Sequence, residues 1–304
     1  MFDHKAKLFL TSALFFVAFG LLLIFQNQNS GKFRLIACDV GQGDGLLLIS
    51  PQGKQILVDG GPGTKIADCL GQNMPFWDRT IEMIISTHPE RDHLEGLLEV
   101  LARYKVKMIV TSGVVNDTVL FKAWEDAIKK EGAKIHTAKA GDRFVIDANR
   151  GPTPLGVEPL KLDFLWPTAE KLELWKLAGL SETNESSIVL RANFGQFCAY
   201  LTGDLPKELL EPLINKQCQV LKISHHGSKT GTNQVILDSV DPKVAIIQVG
   251  KNSFGHPHKE VIDLLQSKGV KTYRNDINGI IEMSTDGKSF KVKPERKADP
   301  QLRS

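Results

Sequence analysis

The sequence predicts one α+β domain in which two sheets carry flanking helices, behind an apolar N-terminal segment. Three observations predict it. Short runs rich in Val, Ile, Leu and Phe alternate with stretches whose apolar residues recur at helical spacing. Glycine-rich breaks join some runs as tight turns, so hairpins mix with helical connections and a purely parallel, doubly wound sheet is excluded. Finally, 42% of the 304 residues are hydrophobic, enough for one large domain or two small ones. The formal net charge of +3 is too small to argue for nucleic-acid binding by bulk electrostatics.

In chain order, residues 1–7 are a short basic start. Leu8 to Phe25 carries no charge and is long enough to cross a bilayer as one helix. Lys5 and Lys7 precede it, and no small-residue cleavage site follows, so an uncleaved single-pass anchor is expected, with the folded part outside the cytoplasm. Residues 26–32 form a polar linker. Strands are predicted at Phe33–Cys38, Leu46–Ser50, Gln55–Asp59, Met83–Thr87 and Val106–Thr111. Helices follow at His93–Tyr104, where Leu94, Leu97, Leu98 and Leu101 share one face, and at Val119–Lys130. A Gly- and Pro-rich loop spans residues 148–159.

The second half continues with strands at Lys161–Leu165, Ser187–Asn193, Phe197–Thr202, Val220–Ser224 and Val244–Val249. Helices are predicted at Lys207–Asn215, Gln234–Ser239 and Lys259–Lys268, and strands at Ile280–Ser284 and Ser289–Lys293 close the domain at residue 293. Residues 294–304 are read as a flexible tail. Cys38, Cys69, Cys198 and Cys218 form no CxxC pair, which excludes a zinc knuckle. They are expected as small buried core residues; a disulfide is permitted but not demanded.

The chemistry-bearing residues gather at strand ends. STHPERDH places His88, Glu90, Asp92 and His93 where a strand gives way to a helix. LTGDL puts Asp204 after an apolar strand, LKISHHGS puts His225 and His226 after the next, and SFGHPH puts His256 and His258 after a third. Six of the 8 histidines thus lie in three compact motifs, leaving His4 and His136 as ordinary surface positions. Imidazoles and carboxylates brought together suit zinc, manganese or iron. The plainer readings are helix capping by Asp92 and a helix-entry turn for GHPH.

HPERDH resembles the HxHxDH signature of the metallo-β-lactamase superfamily. The ordered set DVGQGDGLLL (39–48), ILVDGG (56–61), STHPERDHLEGL (86–97), NESSIVL (184–190), LTGD (201–204), LKISHHGSKT (221–230) and GHPH (255–258) resembles one branch of it. That branch is the extracytoplasmic domain of the DNA-internalisation competence proteins, the ComEC family. The resemblance runs from about residue 33 to about 285 and implies a four-layer αββα sandwich with a metal site on one edge. It assigns His88 and Glu90 to a first divalent ion, Asp92 and His93 to a second, and Asp204 to both. One of His225 and His226 completes the second, His225 being preferred. Asp59 would orient a ligand histidine, and Asp44 and Gln42 would shape the same edge, although both also suit turn positions in a Gly-rich loop.

The sequence departs from the superfamily at Glu90, where histidine or aspartate is common, and at Asn184 to Ser187, where another histidine is common elsewhere. The first site is therefore expected to be weak, oxygen-rich and tilted toward manganese over zinc. The resemblance implies a phosphodiesterase or nuclease acting on DNA, a hydroxide between the two ions attacking phosphorus. His256 or His258 would serve the leaving oxygen, and Gly227, Ser228, Lys229 and Asn184 would contact substrate. One apolar span cannot form a pore, so passage of DNA would fall to a separate channel protein. The alternatives are hydrolysis of another ester (an envelope phosphodiester, a choline phosphate or a lactam) and a non-catalytic nucleic-acid or protein-binding module.

Overall fold

The computed structural model describes residues 11–15, 31–148, 159–178 and 183–297. The expected span 8–25, the linker 26–32, the loop at 148–159 and the tail fall wholly or largely outside these residues. Among the described residues, no helix is long and apolar enough to cross a membrane.

The strands of the first half are β1 (Phe33–Ala37), β2 (Leu46–Ile49), β3 (Gln55–Val58), β4 (Thr80–Ser86), β5 (Lys105–Thr111), β6 (Lys134–Thr137) and β7 (Arg143–Val145). Those of the second are β8 (Lys161–Trp166), β9 (Val189–Phe194), β10 (Phe197–Leu201), β11 (Val220–Lys222), β12 (Val244–Ile247), β13 (Lys271–Arg274), β14 (Ile281–Thr285) and β15 (Phe290–Pro294). The main helices are α1 (Lys65–Asn73), α2 (Arg91–Arg103), α3 (Val119–Glu131), α4 (Ala169–Ala178), α5 (Gln234–Val240) and α6 (Lys259–Ser267). An 8-stranded sheet runs β15-β14-β1-β2-β3-β4-β5-β6, and a 7-stranded sheet runs β13-β12-β11-β10-β9-β8-β7.

Alternation along the strands builds four layers. In β1, Phe33, Leu35 and Ala37 point into the core between the sheets, where they meet Phe194, Phe197 and Leu201 of the other sheet. Ile36 and, just past the strand, Cys38 point the other way, toward Ile66, Leu70, Leu94 and Leu97 of α1 and α2. The second sheet does the same: Tyr200, Leu221 and Ile247 face Ile236, Leu237, Val261 and Leu265 of α5 and α6. Strands buried on both faces read as unbroken apolar runs, so their sequences show no polar-apolar alternation. Each Leu or Ile fully withdrawn from water contributes about 1.5–3 kcal/mol.

The pairing directions set where the site can be. β3 and β4 are parallel in the first sheet, and β10, β11 and β12 are parallel in the second. Their carboxyl ends carry Asp59, His88, Asp204, His225-His226 and the loop from Gln248, in that order. Helix α2 is locked to this edge by close backbone contact: a Cβ on Gly96 would lie 2.1 Å from the Gly60 carbonyl oxygen. That approach brings the first turn of α2 against the loop after β3, and Asp92 in that turn suits the helix dipole.

Several elements differ from expectation. α1, α4, β6, β7 and β13 were not expected. The α4 segment AEKLELWKLA spaces its leucines without a single helical stripe, and the edge strands are short and polar. β15 runs to Pro294 and Arg296 pairs with Asp39 at 2.9 Å, so the folded part passes the boundary expected at 293. The cysteines are buried, as expected, but they are disulfide-bonded, Cys38 to Cys69 and Cys198 to Cys218, with Cα atoms 5.8 and 5.0 Å apart. They close stretches with separations of 31 and 20 residues, each contributing about 3 kcal/mol on the chain-entropy account.

Candidate metal centre

Asp59 leaves β3 with a left-handed backbone (φ 58) and is fully buried. Its Oδ1 accepts from the Thr87 backbone N–H at 2.8 Å and its Oδ2 from the Thr87 hydroxyl at 2.6 Å. The same Oδ2 lies 2.8 Å from His93 Nδ1, which fixes the His93 ring and turns its Nε2 inward. Burial pushes the Asp59 carboxyl up; His93 works against that rise. His88 is held by hydroxyls instead: its Nδ1 lies 3.0 Å from Thr87 Oγ1 and 3.2 Å from Ser187 Oγ.

Asp204 follows β10, and its backbone N–H donates to Ser187 Oγ at 3.0 Å. Its Oδ2 approaches His93 Nε2 at 3.3 Å and His226 Nε2 at 3.2 Å. His226 Nε2 also lies 3.2 Å from Asp92 Oδ2. The two histidines after β11 sit in left-handed backbone, His225 at φ 51 and His226 at φ 53, a conformation uncommon for such residues and concentrated at functional sites. That turn sends the rings different ways. His226 is buried, with Nδ1 2.8 Å from the Gln248 carbonyl oxygen, whereas His225 stays partly exposed, 3.9 Å from Asp204. The preference for His225 is therefore corrected: His226 occupies the inner position.

Asp44 reaches the centre from the Gly-rich loop after β1. Its Oδ1 is 3.3 Å from His226 Nδ1. Only glycine fits at position 43, since φ is 145 and a Cβ would stand 2.2 Å from the Asp92 carbonyl oxygen. Gln42 braces this loop by accepting from the Gly250 N–H at 3.2 Å. Lys222 was missed. It is fully buried at the end of β11, pairs with Asp44, donates to the Gly203 carbonyl at 2.8 Å and lies 3.7 Å from Asp204. Burial opposes its charge, but Asp44 and Asp204 outweigh burial and hold the ammonium charged. The available signal was a lysine inside an otherwise apolar strand, LKIS, directly before the paired histidines.

The remaining expected residues lie around this group. Glu90 turns away: its Oε1 accepts from the Thr183 hydroxyl, and it shares no donor cluster among the described residues. Lys229 is exposed and paired with Glu260 at 2.9 Å, so its charge is engaged outside the centre. The Gly227 carbonyl accepts from the His258 N–H at 2.9 Å, and Ser228 Oγ meets Thr230 Oγ1 at 3.0 Å. Asn184 presents a buried Oδ1 without a hydrogen bond. His256 lies 5.4 Å from His225 and 5.1 Å from His258, ring centre to ring centre, and His258 is also the residue capping α6.

Four donor sets have atoms within 4.8 Å of one another: His88, His93 and Asp204; Asp92, His93 and His226; Asp44, Asp59 and His93; Asp44, Asp204 and His226. A divalent ion fits here on a direct observation. His88 Nε2, His93 Nε2, His226 Nε2, Asp44 Oδ1 and Asp204 Oδ1 are buried and form no hydrogen bond. Nitrogens and oxygens held about 2.1 Å from one ion stand roughly 3–3.5 Å apart, the spacing seen between His93, His226, Asp92 and Asp204. Without an ion, protons supply the charge. Burial disfavours protonated His93 and His226, yet Asp204 and the other acids hold both well above the ordinary histidine range.

Two mixed sheets between helical layers, with His and Asp side chains converging at the strand ends, define the metallo-β-lactamase fold. The metallo-β-lactamase-fold protein YhfI from Bacillus subtilis superposes with a TM-score of 0.54 at 12% identity, covering 83% of this chain and 99% of that one. Igni18, a metallo hydrolase from Ignicoccus hospitalis, gives a TM-score of 0.51 at 15% identity over 83% and 98%. In sequence, the chain is 30% identical over 301 residues to ComE operon protein 3 of Bacillus subtilis, covering 91% of this chain and 36% of the relative. Recombination protein 2 of Haemophilus influenzae is 26% identical over 276 residues, 86% of this chain and 30% of the relative. The chain thus spans about a third of the length of these relatives, and no protein-family model matches it. The chain therefore has the metallo-β-lactamase fold and is similar, over about a third of their length, to ComE operon protein 3 and Recombination protein 2.

Proposed function

We propose that the chain is a metal-dependent phosphodiesterase that cleaves DNA outside the cytoplasm, held at the membrane by its N-terminal segment. The observation that carries this reading is the set of five buried donor atoms converging around Asp204 without hydrogen bonds. A relative named for recombination and the kinship to a competence-operon protein support DNA as the substrate. Two disulfides support an oxidising compartment.

Divalent ions bound here would lower the pKa of a water molecule and offset charge on a phosphoryl group. Asp92, His93, His226 and Asp204 would hold one ion; His88 and Asp204 offer the donors nearest a second, since the single Nε2 lone pair of His93 serves one ion only. The Asp59 carboxylate and the Gln248 carbonyl each accept from an Nδ1–H, leaving the Nε2 lone pairs of His93 and His226 aimed at Asp204. Lys222 keeps Asp44 ionised and fixes Asp204 from behind. At the outer edge, burial and the neighbouring His225, His226 and His258 push His256 down to about 4. It is neutral near pH 7 and would serve as a hydrogen-bond partner for the leaving oxygen, with the His258 ring beside it.

The full chain, purified and reloaded with manganese or zinc, is incubated with plasmid, single-stranded DNA, bis-p-nitrophenyl phosphate and a chromogenic cephalosporin. Turnover of the phosphodiesters together with stoichiometric metal is expected. Turnover of the cephalosporin alone, or no retained metal after reloading, would overturn the reading.

A further inference from the structure

We propose that Phe254 is a stacking platform for one unpaired nucleobase of the substrate, next to the phosphate-binding centre. This rests on the phosphodiesterase reading and names the form of DNA that the site takes. Phe254 is 66% exposed and belongs to none of the three apolar cores. Its ring lies 5.8 Å from that of His256 at an interplanar angle of 29°, so one face is stacked within the protein. From His256 the next ring inward is His226, 6.5 Å away, whose Nε2 faces Asp92 and Asp204. Two ring steps therefore join the solvent-facing aromatic to the donor cluster, within the reach of one or two nucleotides.

The loop that presents the ring is firmly braced. Asn252 Oδ1 accepts from the Phe254 N–H at 3.1 Å and the His256 N–H at 3.0 Å. Its Nδ2 donates to the Gly250 and His256 carbonyls at 2.9 and 2.8 Å. At the loop's base, a Cβ on Gly250 would come within 2.4 Å of the Gly41 carbonyl carbon, so the loop is seated on the segment carrying Asp44. A large ring held rigidly and left in water is unusual for packing and suited to a flat ligand, because little side-chain entropy remains to be lost. Lys251 on the same loop is exposed and in no ion pair among the described residues, which adds an anion contact. A base offers its face only when unstacked from its neighbours, so the platform selects single-stranded or frayed DNA over the interior of a duplex.

The test is a double-mutant cycle read by binding. A fluorescent single-stranded oligonucleotide, and a series carrying one abasic residue at successive positions, is titrated with the full chain in calcium to suppress cleavage. Phe254→Ala is expected to weaken binding about 5- to 150-fold and Phe254→Trp to preserve it. In the wild type one abasic position should cause the same loss, and in Phe254→Ala that position should cause none. Equal affinity of wild type and Phe254→Ala, or additive losses at every abasic position, overturns the platform. Turnover of methyl p-nitrophenyl phosphate by the wild type is measured separately. Its absence counts against the phosphodiesterase reading, while the binding cycle still decides the role of Phe254.

Discussion

His93 stands between two histidines, His226 at 5.4 Å and His88 at 4.1 Å between ring centres, and their surroundings differ sharply in charge. Around His226 lie Asp44, Asp92 and Asp204, with Lys222 behind them. Around His88 lie the hydroxyls of Thr87 and Ser187, and only the shared Asp204 carries negative charge into its donor set. The two imidazoles respond in opposite directions to similar burial. Burial and the nearby His93 push His88 down to about 3, whereas the acids around His226 overcome burial and hold it well above the ordinary range. The contrast is one of carboxylates: three lie against His226, and the His88 donor set has only the Asp204 it shares.

The largest effect is expected where the two sides meet. Asp204 contributes to both donor sets, so Asp204→Ala should lower DNA cleavage by on the order of 10⁴-fold or more, the scale seen when one member of a co-acting catalytic set is lost. Bound metal, counted by mass spectrometry, should fall with it; a variant that keeps its metal and turnover would show that the sides do not share this residue. Next in size is Lys222→Met. It leaves Asp44 buried without its cation, and removing one member of a buried pair costs about 3–5 kcal/mol. Denaturant melts should show that loss in metal-free protein and a smaller one in saturating manganese, where an ion can replace the missing charge. An unchanged midpoint in metal-free protein would remove Lys222 from the account.

Smaller again is the effect of pH on metal binding. In metal-free protein His93 and His226 keep their protons well above the usual range, so an ion must displace protons to bind. Affinity should therefore rise with pH, by about tenfold per unit for each proton displaced, and calorimetry in buffers of different ionisation enthalpy should register the release. Binding that is flat across neutrality would mean that the tight ion sits elsewhere.

What the sequence revealed of this contrast follows from distance along the chain. Asp59, His88 and Asp204 could be read because each follows an apolar run, and Asp92 and His93 because they open the helix that comes next; parallel strands carry such ends to one edge. The role of Lys222 could not be read, because its partners arrive from the loop after β1 and the end of β10. The inner place of His226 depends on two successive left-handed residues, which a His-His pair does not announce. The disulfide of Cys69 depends on α1, whose mixed composition hid the helix. Glu90 was expected at the first ion because it stands in the motif, but its partner Thr183 is 93 residues away.

Glu90 gives the smallest expected change and the sharpest view of the weak side. It precedes α2 in extended backbone, φ −95 and ψ 155, two residues after His88, with its carboxylate engaged by Thr183. Imidazole at this position cannot form the same carboxylate contact, and it offers a neutral nitrogen donor beside His88. Glu90→His should therefore raise affinity for the second ion by about tenfold and shift its preference from manganese toward zinc. Thr183→Ala separates the causes. If Thr183 holds Glu90 away, freeing the carboxylate should strengthen manganese binding without favouring zinc. Titrations that give the same second-site affinity and metal order for both variants as for the wild type would place Glu90 outside the centre. The weakness of the His88 side would then rest on Ser187, where a hydroxyl stands in contact with His88 and brings no charge.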